Sequence, residues 1–117
     1  MTAAEVKRYV RAHLRVRECH DEEGDWLIFC DELDKGWRDW QGAYDFTIAR
    51  EKQIAEVEQE INWLTEAVEW MKLAVPYYET SCEAALKRVL IREQAALADL
   101  KRGMSIARTG RREKDNG

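Results

Sequence analysis

The feature that most constrains this chain is an unbroken heptad seam. Ile54, Val57, Ile61, Leu64, Val68, Met71 and Val75 follow one another at steps of 3, 4, 3, 4, 3 and 4. Only an α-helix brings residues at that spacing onto one side, because the faces of a strand alternate every two residues. The spacing predicts a long helix that starts between 37 and 46 and runs to the end of the seam. At 1.5 Å per residue, about 30 residues span about 45 Å. Pro76 stops or kinks it, having no N–H to give and clashing with the preceding turn.

A second helix is expected after the proline. Thr80-Ser81-Cys82-Glu83 has the form of a capping box, and Cys82, Ala85, Leu86, Val89, Leu90, Ala96, Leu97, Leu100 and Met104 recur at helical spacing. A short connection makes two long helices antiparallel neighbours. The expected architecture is all-α, a long antiparallel helical hairpin of about 39–75 and 81–102. An amino-terminal amphipathic helix over 3–20 and a short Trp-rich helix over 26–35 are expected to pack on it.

The amino-terminal helix follows from a further capping box, Thr2-Ala3-Ala4-Glu5, and from Val6, Tyr9, Val10, Leu14 and Val16 sharing one face. Lys7, Arg8, Arg11 and Arg15 collect on the opposite face. The run Trp26-Leu27-Ile28-Phe29-Cys30 fits strand or helix equally well. No apolar partner strand is evident, and an unpaired strand leaves its backbone groups unsatisfied, so a helix ended by Gly36 is expected. Trp26 is placed in its core. At 117 residues the chain is read as one helical domain over 1–107, with 108–117 a charged, aperiodic tail.

Charge is segregated along the chain. Residues 1–20 carry net +3, residues 21–45 net −7, residues 46–79 net −4 and residues 80–117 net +4. Such asymmetry steers partners or sister subunits, or is simply solvated. No apolar run approaches the roughly 18 residues of a bilayer span, so no membrane association is expected. The arginine-studded start does not resemble a secretory leader, and three cysteines, an odd number, read as reduced thiols. A cytoplasmic location is the expectation.

Site chemistry is sparse. Cys19, His20 and Cys30 with His13 or Cys82 offer zinc-type donors, but not in the close pairs of structural zinc sites. Asp31 to Gly42 places an acid and a glycine as a calcium loop does, then fails at positions 3, 5 and 12. No nucleophile elbow, phosphate-cradling glycine loop or metalloprotease motif is present. No catalytic, cofactor-binding or metal-ligating residue is singled out, and the chain is read as non-enzymatic.

Five tryptophans and four tyrosines are the most unusual part of the composition. Both residue types fill cores and anchor interfaces. With Ile54 at 0° on a helical wheel, Trp63, Ala67, Trp70 and Ala74 fall at about 160–220°, well away from the seam residues beyond Ile54 at about 260–340°. One neighbouring helix cannot cover both arcs. The uncovered edge needs either the Trp26–Cys30 segment of the same chain or another subunit, with a two-fold homodimer the expected assembly. Trp63, Trp70, Trp37 and Trp40, with Lys7, Arg8, Arg11 and Arg15, are the candidate partner-binding residues. His13 and Glu93 lie central on apolar faces and form a candidate buried polar pair.

The expected function is a protein–protein interaction module, a small adaptor or inhibitor, of a type common among accessory proteins of phages and mobile elements. The other reading is a nucleic-acid-associated subunit, bound through the basic face of the first helix and the basic carboxy-terminal region. Its variant is an acidic nucleic-acid mimic, built on Glu51, Glu58, Glu66 and Glu69.

Overall fold

The structure, a computed structural model, describes residues 1–74 and 81–105. Its elements in chain order are α1 (Ala3–His13), β1 (Arg17–His20), β2 (Trp26–Cys30), β3 (Lys35–Trp37), α2 (Trp40–Ala74) and α3 (Ser81–Leu100). The chain divides into two compact units, one holding Met1–Glu51 and the residues from Lys101 on, the other Lys52–Leu100.

The all-α expectation is corrected by a three-stranded antiparallel sheet in the order β1-β2-β3. The segment expected as a helix over 26–35 begins as its central strand. The partners are polar, which is why no apolar pattern announced them. Arg17 pairs with Phe29, Cys19 with Leu27 and His20 with Trp26 on one side, and Ile28 pairs with Trp37 and Cys30 with Lys35 on the other. Edge strands need backbone groups, not apolar side chains, to satisfy a central strand. Ile28 and Cys30 are buried on the inner face, while Leu27 and Phe29 alternate outward. Gly36 is no helix cap but lies in β3. A Cβ there would come within 3.1 Å of the Leu27 side chain and 3.2 Å of that of Phe29.

The first helix ends at His13, not at 20. Its capping box forms as expected, Thr2 accepting from the Glu5 N–H and Glu5 from that of Thr2. Leu14 then turns extended and joins Met104 in a single antiparallel bridge. The Arg15 N–H donates to the Gly103 carbonyl at 2.8 Å and the Ser105 N–H to that of His13 at 3.0 Å. The chain after α3 therefore closes the amino-terminal unit. Val10, Leu14, Ile28, Cys30, Ala43 and Met104 are fully buried in its core. Thr47 joins them because its hydroxyl donates to the Ala43 carbonyl at 2.8 Å. At the closure Gly103 adopts φ +79, and an added Cβ would stand 3.0 Å from Cys30 Sγ. Only glycine meets both conditions without strain.

The long hairpin is also corrected. α2 is a single helix of 35 residues, capped by the Asp39 carboxylate, which accepts from the Gly42 N–H at 2.7 Å. Its first twelve residues, Trp40 to Glu51, belong to the amino-terminal unit, so only the remainder shares a unit with α3. The seam is the covered side of that remainder. Ile54 and Val68 are buried, and Val57, Ile61, Leu64 and Met71 are half-buried. α3 runs over 20 residues and stops at Leu100, two short of the expected 102. Its Glu83 is buried, with Lys87 Nζ 3.1 Å away at the i, i+4 position. The expected turn at 75–79 and the tail 108–117 lie outside the described residues. No helix among those residues is long and apolar enough to cross a membrane.

Candidate functional site

Of the four cations expected on one face of the first helix, Lys7, Arg8 and Arg11 lie on α1 and Arg15 lies beyond its end, and Lys7 and Arg11 are already engaged. Lys7 Nζ and Arg11 Nη2 approach Glu18 Oε1 at 3.7 and 3.5 Å. Both cations also stand 5.4 Å from the centre of the Trp40 ring. Such stacking favours a cation over the electron-rich face of the indole. Trp40, half-buried at the start of α2, meets Trp26 at 6.3 Å between ring centres. Trp26 is 39% exposed, so it belongs to this surface cluster and not to the core expected for it. Trp37 is half-buried against Phe46, 5.0 Å between ring centres. Arg8 is exposed.

An open groove of about 550 Å³ begins at Arg11 and continues over Arg15, Arg17, Asp31 and Glu32. Arg15 sits 3.1 Å from Glu32 and donates to the Met104 carbonyl at 3.3 Å. Arg17 grips Asp31 through two hydrogen bonds of 2.8 and 3.0 Å. Those bonds hold the Asp31 carboxyl below its usual range and raise the Arg17 guanidinium. In this geometry each arginine that would meet a phosphate carries a carboxylate in its place.

His13 and Glu93 each have a partner inside their own unit. His13 Nδ1 donates to the Tyr9 carbonyl at 2.8 Å, and its ring stacks on Tyr9 with centres 4.0 Å apart. The Tyr9 hydroxyl donates to Glu51, and burial together with this bond pushes the phenol up to about 12. Glu93 shares a hydrogen bond with Glu60, which raises the Glu60 carboxyl, since two adjacent carboxylates disfavour a second charge.

The three cysteines are free, Cys30 buried, Cys19 half-buried and Cys82 exposed. Three carboxylates, Asp21, Glu23 and Asp25, converge within 4.8 Å in the loop between β1 and β2. Asp21 there accepts from the Glu23 and Asp25 N–H groups at 3.0 and 2.9 Å and sits 3.0 Å from Arg38. The Asp25 N–H is the main reason the Asp21 carboxyl lies below its usual range. This cluster fixes a turn.

The second candidate surface contrasts with the first. Trp63 is 60% exposed, Trp70 68% and Leu73 82%. The three stand on α2 away from its covered seam, and Ala67 and Ala74 lie beside the indoles on the helical wheel, toward the seam. Isolated exposed apolar residues are ordinary, but two indoles and a leucine within about three turns of one helix form a contiguous patch.

Glu18 and Trp26 are the surface residues that sequence reasoning missed. Their signal was the pairing of β1 with β2, which carries Glu18 beneath α1 and Trp26 toward Trp40. In comparisons with protein-family models, with curated proteins and with solved structures, the chain matches none.

Proposed function

We propose that the chain is a non-enzymatic interaction module, an adaptor or inhibitor, that docks another protein through the Trp63/Trp70 edge of α2. One observation carries this reading. Every other tryptophan has an aromatic neighbour from its own unit, whereas Trp63 and Trp70 remain more than half exposed. Large, rigid indoles held on a helix are the residues that dominate binding energy at protein interfaces. The basic surface at α1 and β1 is the weaker candidate for binding, because Glu18 already pairs with Lys7 and Arg11, Glu32 with Arg15 and Asp31 with Arg17. A nucleic acid would have to displace those carboxylates.

The test is paired affinity capture from a cell lysate, with the wild-type chain and a Trp63→Ala/Trp70→Ala variant as baits. The reading expects proteins retained by the wild type to be lost by the variant at unchanged folding. Identical captured sets would remove the edge as the docking surface.

A further inference from the structure

We infer that the occupant of this edge is a second copy of the same chain, docked antiparallel about a two-fold axis. The inference rests on the docking reading above and adds the partner and its geometry. Side-chain size alternates along the stripe. Trp63, Ala67, Trp70 and Ala74 are spaced 4, 3 and 4 residues apart, the same heptad step as the seam. In heptad notation the two tryptophans take d positions and the two alanines take a positions.

Antiparallel helices stack a against d, and parallel helices stack a against a and d against d. A parallel pair would therefore set indole on indole and leave alanine facing alanine across a gap. An antiparallel pair sets Trp63 over Ala74 of the second copy and Trp70 over Ala67, and the two-fold axis repeats both contacts. Each large side chain then meets a small one, as close packing requires. A two-fold contact must be self-complementary in this sense, residue i meeting j where j meets i. A stripe of alternating tryptophan and alanine meets that requirement with no other partner specified.

The flanks agree. Glu66 and Leu73 occupy the positions beside the stripe that meet across an antiparallel pair, so each Glu66 lies along a leucine and not against another Glu66. The parallel arrangement would set Glu66 against Met71, a seam residue already half-buried in its own unit. Leu73, 82% exposed, gains cover by the antiparallel contact. The patch spans only about four layers, below the apolar area of a tight complex, so the dimer is weak, with a dissociation constant of about 1–100 µM.

The experiment is sedimentation equilibrium of the purified full chain from about 1 µM to about 1 mM. The expected result is a reversible monomer–dimer equilibrium. Trp63→Ala/Trp70→Ala should weaken it at least about thirtyfold, the loss expected from deleting interface anchors. Thermal melting of that variant reports whether it still folds. For orientation, chains carrying Glu66→Cys and Leu73→Cys, with Cys19 and Cys82 replaced by serine, are mixed and treated with a short bis-maleimide. Cross-links should join the two different variants. Cross-links joining like to like would overturn the antiparallel geometry. A strict monomer, or a dimer indifferent to loss of both indoles, would overturn the self-docking. A strict monomer that loses captured proteins with its tryptophans would leave the docking reading standing with a different partner.

Discussion

Two aromatic surfaces of this molecule invite comparison. Around α1, Trp40 lies beneath Lys7 and Arg11 and beside Trp26, with Glu18 closing the cluster. Along α2, Trp63 and Trp70 show more than half their surface. Both surfaces are rich in tryptophan, but only the first has its charges and rings matched by its own unit. Residue type alone therefore does not mark a docking surface. What marks it is interaction capacity left over once the chain's own contacts are made.

The largest expected contrast is in stability. Leu14→Ala should cost about 2–5 kcal/mol, because it empties a fully buried position beside Met104. Trp63→Ala should change stability by no more than about 0.5 kcal/mol, as surface substitutions do. Urea titrations of both variants measure the difference, and a costly Trp63→Ala would mean the edge is structural. Gly103→Ala should cost more than about 1 kcal/mol, since φ +79 and the Cys30 sulfur both oppose a Cβ. That loss would sharpen the claim that the returning chain closes the amino-terminal unit.

Titration separates the two units further. The Tyr9 phenol is raised from 10.0 to about 12, so its stabilisation is complete below pH 10 and fades as pH rises toward 12. Tyr9→Phe should flatten that alkaline loss in melting curves. In acid the units should respond in opposite directions. Asp21 and Asp31 have lowered carboxyls, and their contributions are lost as pH falls through the folded values. Glu60 has a raised carboxyl, so its contribution is complete below the unfolded value and is lost as pH rises through the folded one. Hydrogen exchange followed from neutral to acidic pH should show protection fall around the sheet and rise near Glu60. Glu60→Gln should abolish the rise.

A smaller effect than in the core is expected at the basic face. Lys7→Glu/Arg11→Glu removes two exposed contacts to Glu18 and two cations from over the Trp40 ring and should cost about 1–2 kcal/mol. A large loss of melting temperature would show that the Trp40 cluster holds the unit together.

The helical parts of the fold were legible because their signals are local and periodic. The capping box at Thr2 and the seam from Ile54 to Met71 can be read within a few turns of sequence. The sheet was not legible, because β1 and β3 carry polar residues and owe their strand state to β2. The bridge between Leu14 and Met104 joins residues 90 apart, and nothing near either residue specifies the other. Of the candidate site, the exposed position of Trp63 and Trp70 followed from the wheel. The ion pairs of the basic face did not, because Glu18, Asp31 and Glu32 reach it only through the sheet and the turn after β2.

The central claim is that the free tryptophan edge, and not the engaged basic face, carries association. Its most direct test is sedimentation of Trp63→Ala/Trp70→Ala and Lys7→Glu/Arg11→Glu beside the wild type at matched concentrations. The account predicts that the tryptophan variant is monomeric where the wild type and the charge-reversed chain are dimeric. A charge-reversed chain that dissociates while the tryptophan variant remains dimeric would contradict it.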